Sequence, residues 1–425
     1  MTLREGSNLI LYNIGQLLTL AGGPQRGNRL GSLEMIMDGA IAINDSVIVD
    51  VGQSADLLDK YPGFSKIDIN GRVVMPGFVD PHTHLVWAGD RAEEFDLRLQ
   101  GKTYMEILSA GGGILSTVRA TRAAPAEELL NQTRKRAERA FSYGTTTMEV
   151  KTGYGLTFDS EIKQLKVILQ LDKEGPLELI PTFLAAHAVP PEYKGRTQDY
   201  VELVADEMLP ELYKWWQENF PARAFPFVDV FCERGAFDLA QSRQILETAK
   251  KLGFPLKIHV DEFESLGGAS LAVELGAVSA DHLVKTPHEE IITLANSDTV
   301  AVSLPGTPFG LNEDEYTPAN ELIEVGALFS LATDTNPGTS WCESMQFILA
   351  LSCRKIGMTP AQAIAAATIN AAAALGQQHR IGSIEAGKQA DLLILDVDDY
   401  RHLGYRFGTN LVSKVVKRGN FYSVK

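Results

Sequence analysis

The stretch Met75-Pro-Gly-Phe-Val-Asp-Pro-His-Thr-His-Leu85 decides the fold. It continues an apolar run that begins at Val73, and we expect the run to form one buried β-strand punctuated by Pro76-Gly77. His82 and His84 are two positions apart, a spacing that turns both imidazoles to one face of a strand. Two such nitrogens close together supply half of a divalent metal site. When the stretch is taken alone, two surface histidines paired by chance are the alternative.

Downstream, the chain repeats a unit in which a short apolar strand leads through a loop into an amphipathic helix. Asp238 and Gln241 form a capping box at the start of one helix, and an Ala-rich helix from Thr359-Pro360 is expected to run to about Leu375. Eight strands alternating with helices predict a (β/α)8 TIM barrel, with catalytic groups at the C-terminal strand ends. An open doubly wound sheet alternates similarly, but the spread of polar residues over nearly all strand ends disfavours it. The expected strand ends lie near His84, Lys151, His187, Glu233, His259, His282, Leu304 and Asp334.

The two ends of the chain have a different pattern, with short alternating runs such as residues 40–51 and 382–396. Neither end carries enough apolar residues to fold alone. We therefore expect a composite β-sandwich domain of residues 1–70 plus 380–425, joined without a low-complexity linker to a catalytic barrel of residues 71–379.

Two further strand ends carry metal-ligand residues. His259 ends a strand on the face opposite its apolar neighbours, and Asp334 ends the last strand. With His82 and His84 they form a three-histidine, one-carboxylate set at the barrel mouth, which suits Zn or Fe with one position left for water. A bound divalent metal brings the pKa of such a water to roughly 7 and supplies hydroxide as nucleophile. A buried structural histidine is the alternative for His259.

Composition excludes several classes of partner. The chain has 425 residues and a net charge of -15, which argues against nucleic acid or an anionic membrane as partner. The same charge means that an anionic substrate needs a specific local cation. Three cysteines without close spacing suit a reducing cytoplasm, and the chain lacks a run of about twenty apolar residues that could span a membrane.

The motif around His82 and His84, with His259 on the fifth strand, His282 on the sixth and Asp334 on the eighth, resembles the amidohydrolase superfamily of metal-dependent hydrolases. Within it, the chain is most similar to the cyclic amidohydrolases that hydrolyse 4-imidazolone-5-propanoate to N-formimidoyl-L-glutamate in histidine degradation. The resemblance covers essentially the whole chain, including residues 82–91, 149–155, 183–189, 231–233, 279–283, 331–339 and 382–391.

The resemblance also bears on the number of metals. Superfamily members with two metals usually carry a lysine at the end of the fourth strand, carboxylated so that it bridges them. Here that strand ends at Glu233 without a lysine, whereas Lys151 and Lys257 lie on other strands. One metal ion per subunit is therefore predicted.

Three residues are predicted to be catalytic. The resemblance assigns to Glu262 the transfer of a proton between the water and a ring nitrogen. His282 could polarise the carbonyl or orient the hydroxide, and Asp334 could take the proton of the water. The sequence leaves open how these three residues divide the proton transfers.

Arg91, in the loop after the first strand, is the candidate cation for the propionate, because a guanidinium binds carboxylate in bidentate fashion. A merely solvated arginine is the alternative. A homodimer is usual for proteins that the chain resembles. By the same resemblance, the substrate pocket is expected to be lined by Tyr104, Tyr154, His187, Glu262, Asn336, Gly338 and Thr339.

Two other functions stay open at this point. A deaminase of the same superfamily, acting on a purine-like or pterin-like ring, would share the metal set and His282. The group of Arg91, Tyr154 and His187 suits a small carboxylate-bearing substrate better than a neutral base. A non-catalytic scaffold barrel is the remote alternative, and such proteins lose metal ligands, none of which is missing here.

Overall fold

The computed structural model describes residues 8–102, 106 and 112–424. The N-terminal strands are β1 (Asn8–Leu18), β2 (Met35–Asn44), β3 (Val47–Gln53), β4 (Ser65–Asp68) and β5 (Val73–Pro76). The strands that follow are β6 (Phe78–Asp80), β7 (Thr145–Lys151), β8 (Glu178–Ala186), β9 (Phe227–Cys232), β10 (Lys257–Val260), β11 (Ser279–His282), β12 (Val300–Ser303) and β13 (Phe329–Leu331). The C-terminal strands are β14 (Leu392–Leu395), β15 (Val412–Lys417) and β16 (Asn420–Ser423).

Helices connect and surround these strands. A π-helix at Leu203–Met208 and 3₁₀ turns at Gly27–Arg29 and Pro191–Tyr193 accompany them. The α-helices span Ser54–Lys60, Ala92–Leu99, Ile114–Ala123, Ala126–Ser142, Phe158–Glu174, Thr197–Glu202, Leu209–Asn219, Leu239–Lys251, Gly268–Leu275, His288–Ala295, Gly306–Leu311, Ala319–Glu324, Met345–Lys355, Pro360–Ala366, Ile369–Ala373 and His402–Tyr405.

The eight strands from β6 to β13 form one parallel sheet in chain order. Just beyond its first and last strands, a parallel bridge between Thr83 and Thr335 joins the two edges and closes the barrel. The predicted barrel is confirmed, and its strand ends lie within a few residues of the expected positions. Strand ends of one polarity therefore gather at one mouth.

Both ends of the chain build a second, mixed sheet, as expected. Its strands lie in the order β16-β15-β14-β5-β1-β2-β3, with β4 paired to β1. An apolar cluster that includes Leu11, Ile41, Leu392 and Val416 draws on both chain ends. Neither end could bury these side chains without the other. The residue limits of the two domains, 1–70 plus 380–425 and 71–379, stay a prediction.

The apolar run before His82 is not one strand, contrary to the prediction. β5 pairs with β1 and β14 in the terminal sheet, whereas β6 pairs with β7 in the barrel. The chain changes sheet at Gly77, where a Cβ atom would lie 2.3 Å from Oγ1 of Thr146, so a side chain has no room. His82 and His84 consequently lie beyond β6, in the loop that follows it.

The capping box of Asp238 and Gln241 is confirmed, as is the start of the Ala-rich helix at Thr359. That helix is interrupted, however, at Thr368, whose backbone has φ -131° and ψ -91°. The Thr368 hydroxyl donates to the carbonyl of Ile364 at 2.6 Å, a side-chain bond that competes with helical geometry. Among the helices of the described residues, none is both long and apolar enough to cross a membrane.

Candidate metal centre and active site

The loop that carries His82 and His84 is tied to the loop after β13. Asp334 N donates to His82 O at 3.1 Å, and His84 N donates to Thr335 O at 2.9 Å. Asp80 stabilises the contact between these two loops, because its carboxylate accepts hydrogen bonds from the backbone N–H and the hydroxyl of Thr333 at 3.0 and 2.6 Å. The Nε2 atoms of His82 and His84 each lie 3.6 Å from Oδ1 of Asp334. The first and last barrel strands thus bring three predicted ligands together.

The fourth predicted ligand joins them from β10. His259 Nε2 lies 3.3 Å from His84 Nε2. His187 and His282 also lie at this centre, because the potential ligand atoms form three overlapping groups, each within 4.8 Å. The groups are His82–His84–Asp334, His82–His259–His282 and His84–His187–His259.

The residues at the centre fit a metal ion. His82 Nδ1 is hydrogen-bonded to Asp281 at 2.7 Å, and His259 Nδ1 lies 3.0 Å from Asp229, so both Nε2 atoms are left for the centre. Asp334 accepts from the Thr307 hydroxyl through Oδ2. Within the described part of the chain, His82 Nε2 and Asp334 Oδ1 are buried without a hydrogen-bond partner. Buried lone pairs that converge in this way are stabilised by a cation.

Burial sets the protonation states at the centre. It lowers the pKa values of His82, His84 and His282 well below the usual range for histidine, so these imidazoles are neutral near pH 7 and keep a lone pair. Burial lowers the pKa of His187 to about 3. It raises the pKa of Asp334 to about 6, against the hydrogen bond from Thr307. The set therefore offers neutral nitrogens and one carboxyl group.

Three strand-end residues have left-handed backbones that turn them at the mouth. Asp261, His282 and Asp334 have φ values of 57°, 84° and 52°. Non-glycine residues seldom adopt such angles, and they persist where the surrounding structure enforces them. Asp261 directly follows β10, His282 ends β11, and Asp334 lies three residues beyond the end of β13.

Glu262 faces the centre from the loop after β10. Its Oε2 lies 3.6 Å from Nε2 of His282. Glu233 holds this loop by accepting from the backbone N–H groups of Phe263 and Glu264 at 2.9 and 3.3 Å. Burial, together with the negative charge of Asp334, raises the pKa of Glu262 well above its usual value. Glu262 is therefore a buried carboxyl group beside His282 that favours its protonated form.

The loop after Asp334 is organised by Asn336. Its side-chain oxygen accepts from the N–H groups of Gly338 and Thr339 at 2.8 Å each, and its amide donates to the carbonyl of Asp334 at 2.7 Å. Arg91 lies against this loop, since a Cβ on Gly338 would lie 2.2 Å from Nη1 of Arg91. The Nε of Arg91 donates to Glu94 at 2.8 Å.

Tyr154 and His187 lie beside the His84 ring. The His187 ring stacks on the His84 ring with centroids 4.6 Å apart, and the Tyr154 ring centroid lies 5.3 Å from that of His187. Glu161 holds the intervening loop by accepting from three backbone N–H groups, those of residues 153, 155 and 156. Tyr104, the remaining predicted pocket residue, lies outside the described residues.

Three residues of this site were not predicted from the sequence. Asp229 and Asp281 face the outer nitrogens of His259 and His82, and Thr307 binds Asp334. Asp229 carries a detectable signal, because it is a lone carboxylate in the apolar strand Phe227–Cys232. Asp281 has the weaker signal of standing directly before His282, and Thr307 has none.

Comparisons with known proteins identify the family of the chain. The Amidohydrolase family profile matches residues 73–422. The chain is 51% identical over 410 residues to a protein of Herpetosiphon aurantiacus named imidazolonepropionase, covering 96% of each chain. It is 50% identical to the protein of that name from Chloroflexus aggregans, covering 98% of each.

Solved structures show the same fold at lower identity. An adenosine deaminase from Xanthomonas campestris with bound zinc has a TM-score of 0.68 at 20% identity, covering 99% of this chain and 94% of that one. Escherichia coli guanine deaminase has a TM-score of 0.71 at 16% identity, covering 99% of this chain and 100% of that one. At such identities the likeness concerns the fold alone.

Proposed function

The chain belongs to the amidohydrolase family, and we propose that it catalyses the imidazolonepropionase reaction named for its relatives at 51% and 50% identity. It hydrolyses the ring amide of 4-imidazolone-5-propanoate and yields N-formimidoyl-L-glutamate, a step of histidine degradation. One structural observation carries the chemistry. Nε2 of His82 and Oδ1 of Asp334, which have no hydrogen-bond partner among the described residues, converge at a buried point close to a carboxyl group, Glu262, whose pKa is raised.

We propose that His82, His84, His259 and Asp334 hold one Zn or Fe ion. When bound there, such an ion supplies hydroxide from water near neutral pH and polarises the amide carbonyl. The contacts of Asp281 and Asp229 with the Nδ1 atoms keep the Nε2 lone pairs of His82 and His259 available. His187 and His282 also belong to these donor groups. We assign them to the substrate instead, because the resemblance gives His187 a place in the pocket lining and His282 a part in catalysis.

The proton transfers follow from the surroundings of two carboxyl groups. Asp334 is placed to take the proton of the attacking water, because its Oδ1 has no other partner among the described residues. Glu262 starts protonated because of its burial, so it can donate to the ring nitrogen as the C–N bond breaks. His282, 3.6 Å from Glu262, is placed to donate to the carbonyl oxygen. A C–O bond replaces the C–N bond of the ring. The single ring-opened product carries the amidine nitrogen and a new carboxylate.

Arg91 is proposed to bind the propionate group of the substrate. Replacing Arg91 with methionine is expected to raise KM by about 30-fold or more, because leaving a charge without its partner costs roughly 2–5 kcal/mol. The kcat value should change much less, since the carboxylate is remote from the scissile bond. Steady-state kinetics with the natural substrate measure both constants.

The matched control is Arg134→Met, which removes a surface arginine that likewise pairs with one glutamate, Glu174, at 3.0 Å. Its KM should equal that of the unmodified protein. An analogue without the carboxylate should be hydrolysed equally by the Arg91 variant and the unmodified protein. An unchanged KM in Arg91→Met would remove Arg91 from substrate binding.

The function itself is tested by following the absorbance of freshly generated imidazolone propionate. Turnover is expected with the purified protein. Chelation should remove more than 90% of the activity, because metal activation of water accelerates hydrolysis by roughly a hundredfold or more. Addition of Zn²⁺ or Fe²⁺ should restore it. Robust release of ammonia from a purine or pterin amine, with no turnover of imidazolone propionate, would instead establish a deaminase.

The proposed substrate is a small anion. A homodimer is proposed from the resemblance alone. A cytoplasmic location is proposed from the three unpaired cysteines, none of which forms a disulfide.

A further inference from the structure

A layer of buried charges lies directly below the proposed metal centre, inside the barrel. Glu149 and Lys151 on β7, Asp229 on β9 and Asp281 on β11 all have side-chain exposures of 0%. These are alternate strands, whose inward side chains meet in one layer of a barrel. Most barrels fill such a layer with branched apolar residues. Apolar packing therefore does not account for the charged residues in this layer.

Lys151 lies at the centre of the layer. Its Nζ is 2.6 Å from Glu149 Oε1, 2.8 Å from Asp229 Oδ2 and 3.8 Å from Asp281 Oδ2. Burial alone would lower the pKa of this amine, but the carboxylates of Asp229, Glu149 and Asp281 outweigh burial and raise it. Lys151 is therefore an ammonium ion.

The carboxylate oxygens near Lys151 are the same atoms that face two proposed metal ligands. Asp281 Oδ2 is bonded to Nδ1 of His82 at 2.7 Å, and Asp229 Oδ2 lies 3.0 Å from Nδ1 of His259. Lys151 thus fixes the Asp229 carboxylate directly and borders that of Asp281, and each carboxylate in turn faces Nδ1 of one imidazole whose Nε2 is turned to the centre. Without Lys151, these carboxylates would lose a contact that fixes them, and the two imidazole rings would be held less firmly in that orientation.

The same geometry shows that Lys151 is not placed to act as a carboxylated, metal-bridging lysine. A carbamate is negatively charged, and at this position it would face the carboxylates of Glu149 and Asp229 at hydrogen-bonding distance. The ammonium group of Lys151 also lies among these carboxylates, below the histidines, and not among the proposed metal ligands. Lys257 is equally far from Asp281, at 3.8 Å, and donates to Ser279 at 2.6 Å, whereas Lys151 also contacts Asp229, at 2.8 Å.

We propose that Lys151 is a positioning residue of the metal centre, which acts through the carboxylates of Asp229 and Asp281 to hold His259 and His82 with Nε2 turned to the centre. The inference rests on the proposed metal site. It assigns to the interior of the barrel a role in metal affinity, in addition to its role in packing.

The test measures Zn²⁺ affinity of the metal-free protein by competition with a chromophoric chelator. Lys151→Met is expected to weaken Zn²⁺ binding by about 10-fold, the lower end of the range for losing a direct partner of a metal ligand, because Lys151 acts one contact further out. Because Lys151→Met leaves an uncompensated negative charge in the core, Lys151→Met/Glu149→Gln is measured as well. The double variant keeps the net charge of the layer and should show the same weakening in a folded protein.

Lys417→Met is the matched control. Lys417 is equally buried and lies 2.7 and 3.2 Å from two carboxylates, Asp391 and Glu178, away from the histidines. Its loss should lower the Tm without changing Zn²⁺ affinity. In an Asp229→Asn background, Lys151→Met should cost less than it does alone, because its path to His259 is already cut.

The outcomes separate the two levels of the proposal. Unchanged Zn²⁺ affinity in the folded Lys151 variants, or fully additive losses with Asp229→Asn, would overturn the role of Lys151 and leave the proposed function intact. Failure of the unmodified protein to bind Zn²⁺ or Fe²⁺ and to turn over imidazolone propionate would overturn the proposed function.

Discussion

Replacing Asp334 with alanine is expected to lower kcat by a factor on the order of 10⁴ and to remove most of the bound metal. Asp334 provides the carboxylate of the proposed ligand set, with Oδ1 3.6 Å from Nε2 of both His82 and His84. It is also the proposed acceptor of the proton of the water. One substitution therefore removes a ligand and a base. Metal analysis and kinetics on the same sample measure the two effects.

Asp261→Ala is the matched control for Asp334→Ala. Asp261 is also a buried strand-end aspartate with a positive φ, 57° against 52°, and it also accepts from a threonine hydroxyl, that of Thr286 at 2.7 Å. Its hydrogen bond leads away from the histidines. We expect a lower Tm in this control, with metal content unchanged and kcat within about tenfold, as for a structural substitution. Full metal retention in Asp334→Ala would exclude Asp334 as a ligand.

The sequence predicts the barrel well because the relevant signals are local. An apolar strand, a loop and an amphipathic helix recur, and parallel strands that alternate with helices leave few topologies. The positions of His259, His282 and Asp334 follow from the same pattern, since each residue stands at the end of a strand. Once the barrel is assumed, their convergence at the mouth needs no further information.

The contacts that the sequence does not predict depend on three-dimensional register. Asp281 lies beside His259 in the pairing of β10 with β11, yet its side chain binds His82, on the other side of the barrel. Thr307 reaches Asp334 from a short helix after β12. Neither partner has a fixed spacing from the residue it binds. The division of the apolar run at Gly77 is hidden for a similar reason, because it depends on Thr146 of a neighbouring strand.

Replacing Glu262 with glutamine is expected to lower kcat by about 10²- to 10⁴-fold while metal content stays unchanged. Glutamine keeps the shape and can still form hydrogen bonds, but it has no proton to give to the leaving nitrogen. Because Glu262 is not in the proposed ligand set, the loss should appear in kcat without a loss of metal. This combination distinguishes Glu262→Gln from Asp334→Ala, in which both decline.

The pH dependence provides an independent measurement for Glu262. Burial and Asp334 raise its pKa, so the protonated, active form predominates below that raised pKa and is lost as the pH rises through it. The unmodified protein should therefore show an alkaline decline in kcat that Glu262→Gln lacks. Glu290→Gln is the control, because Glu290 is a buried glutamate that accepts from Ser270 N at 2.8 Å and from the Ser265 hydroxyl at 3.1 Å. If Glu262→Gln retains the kcat of this control, the proton for the leaving nitrogen must come from another group, and His282 is then the nearest candidate in the pocket.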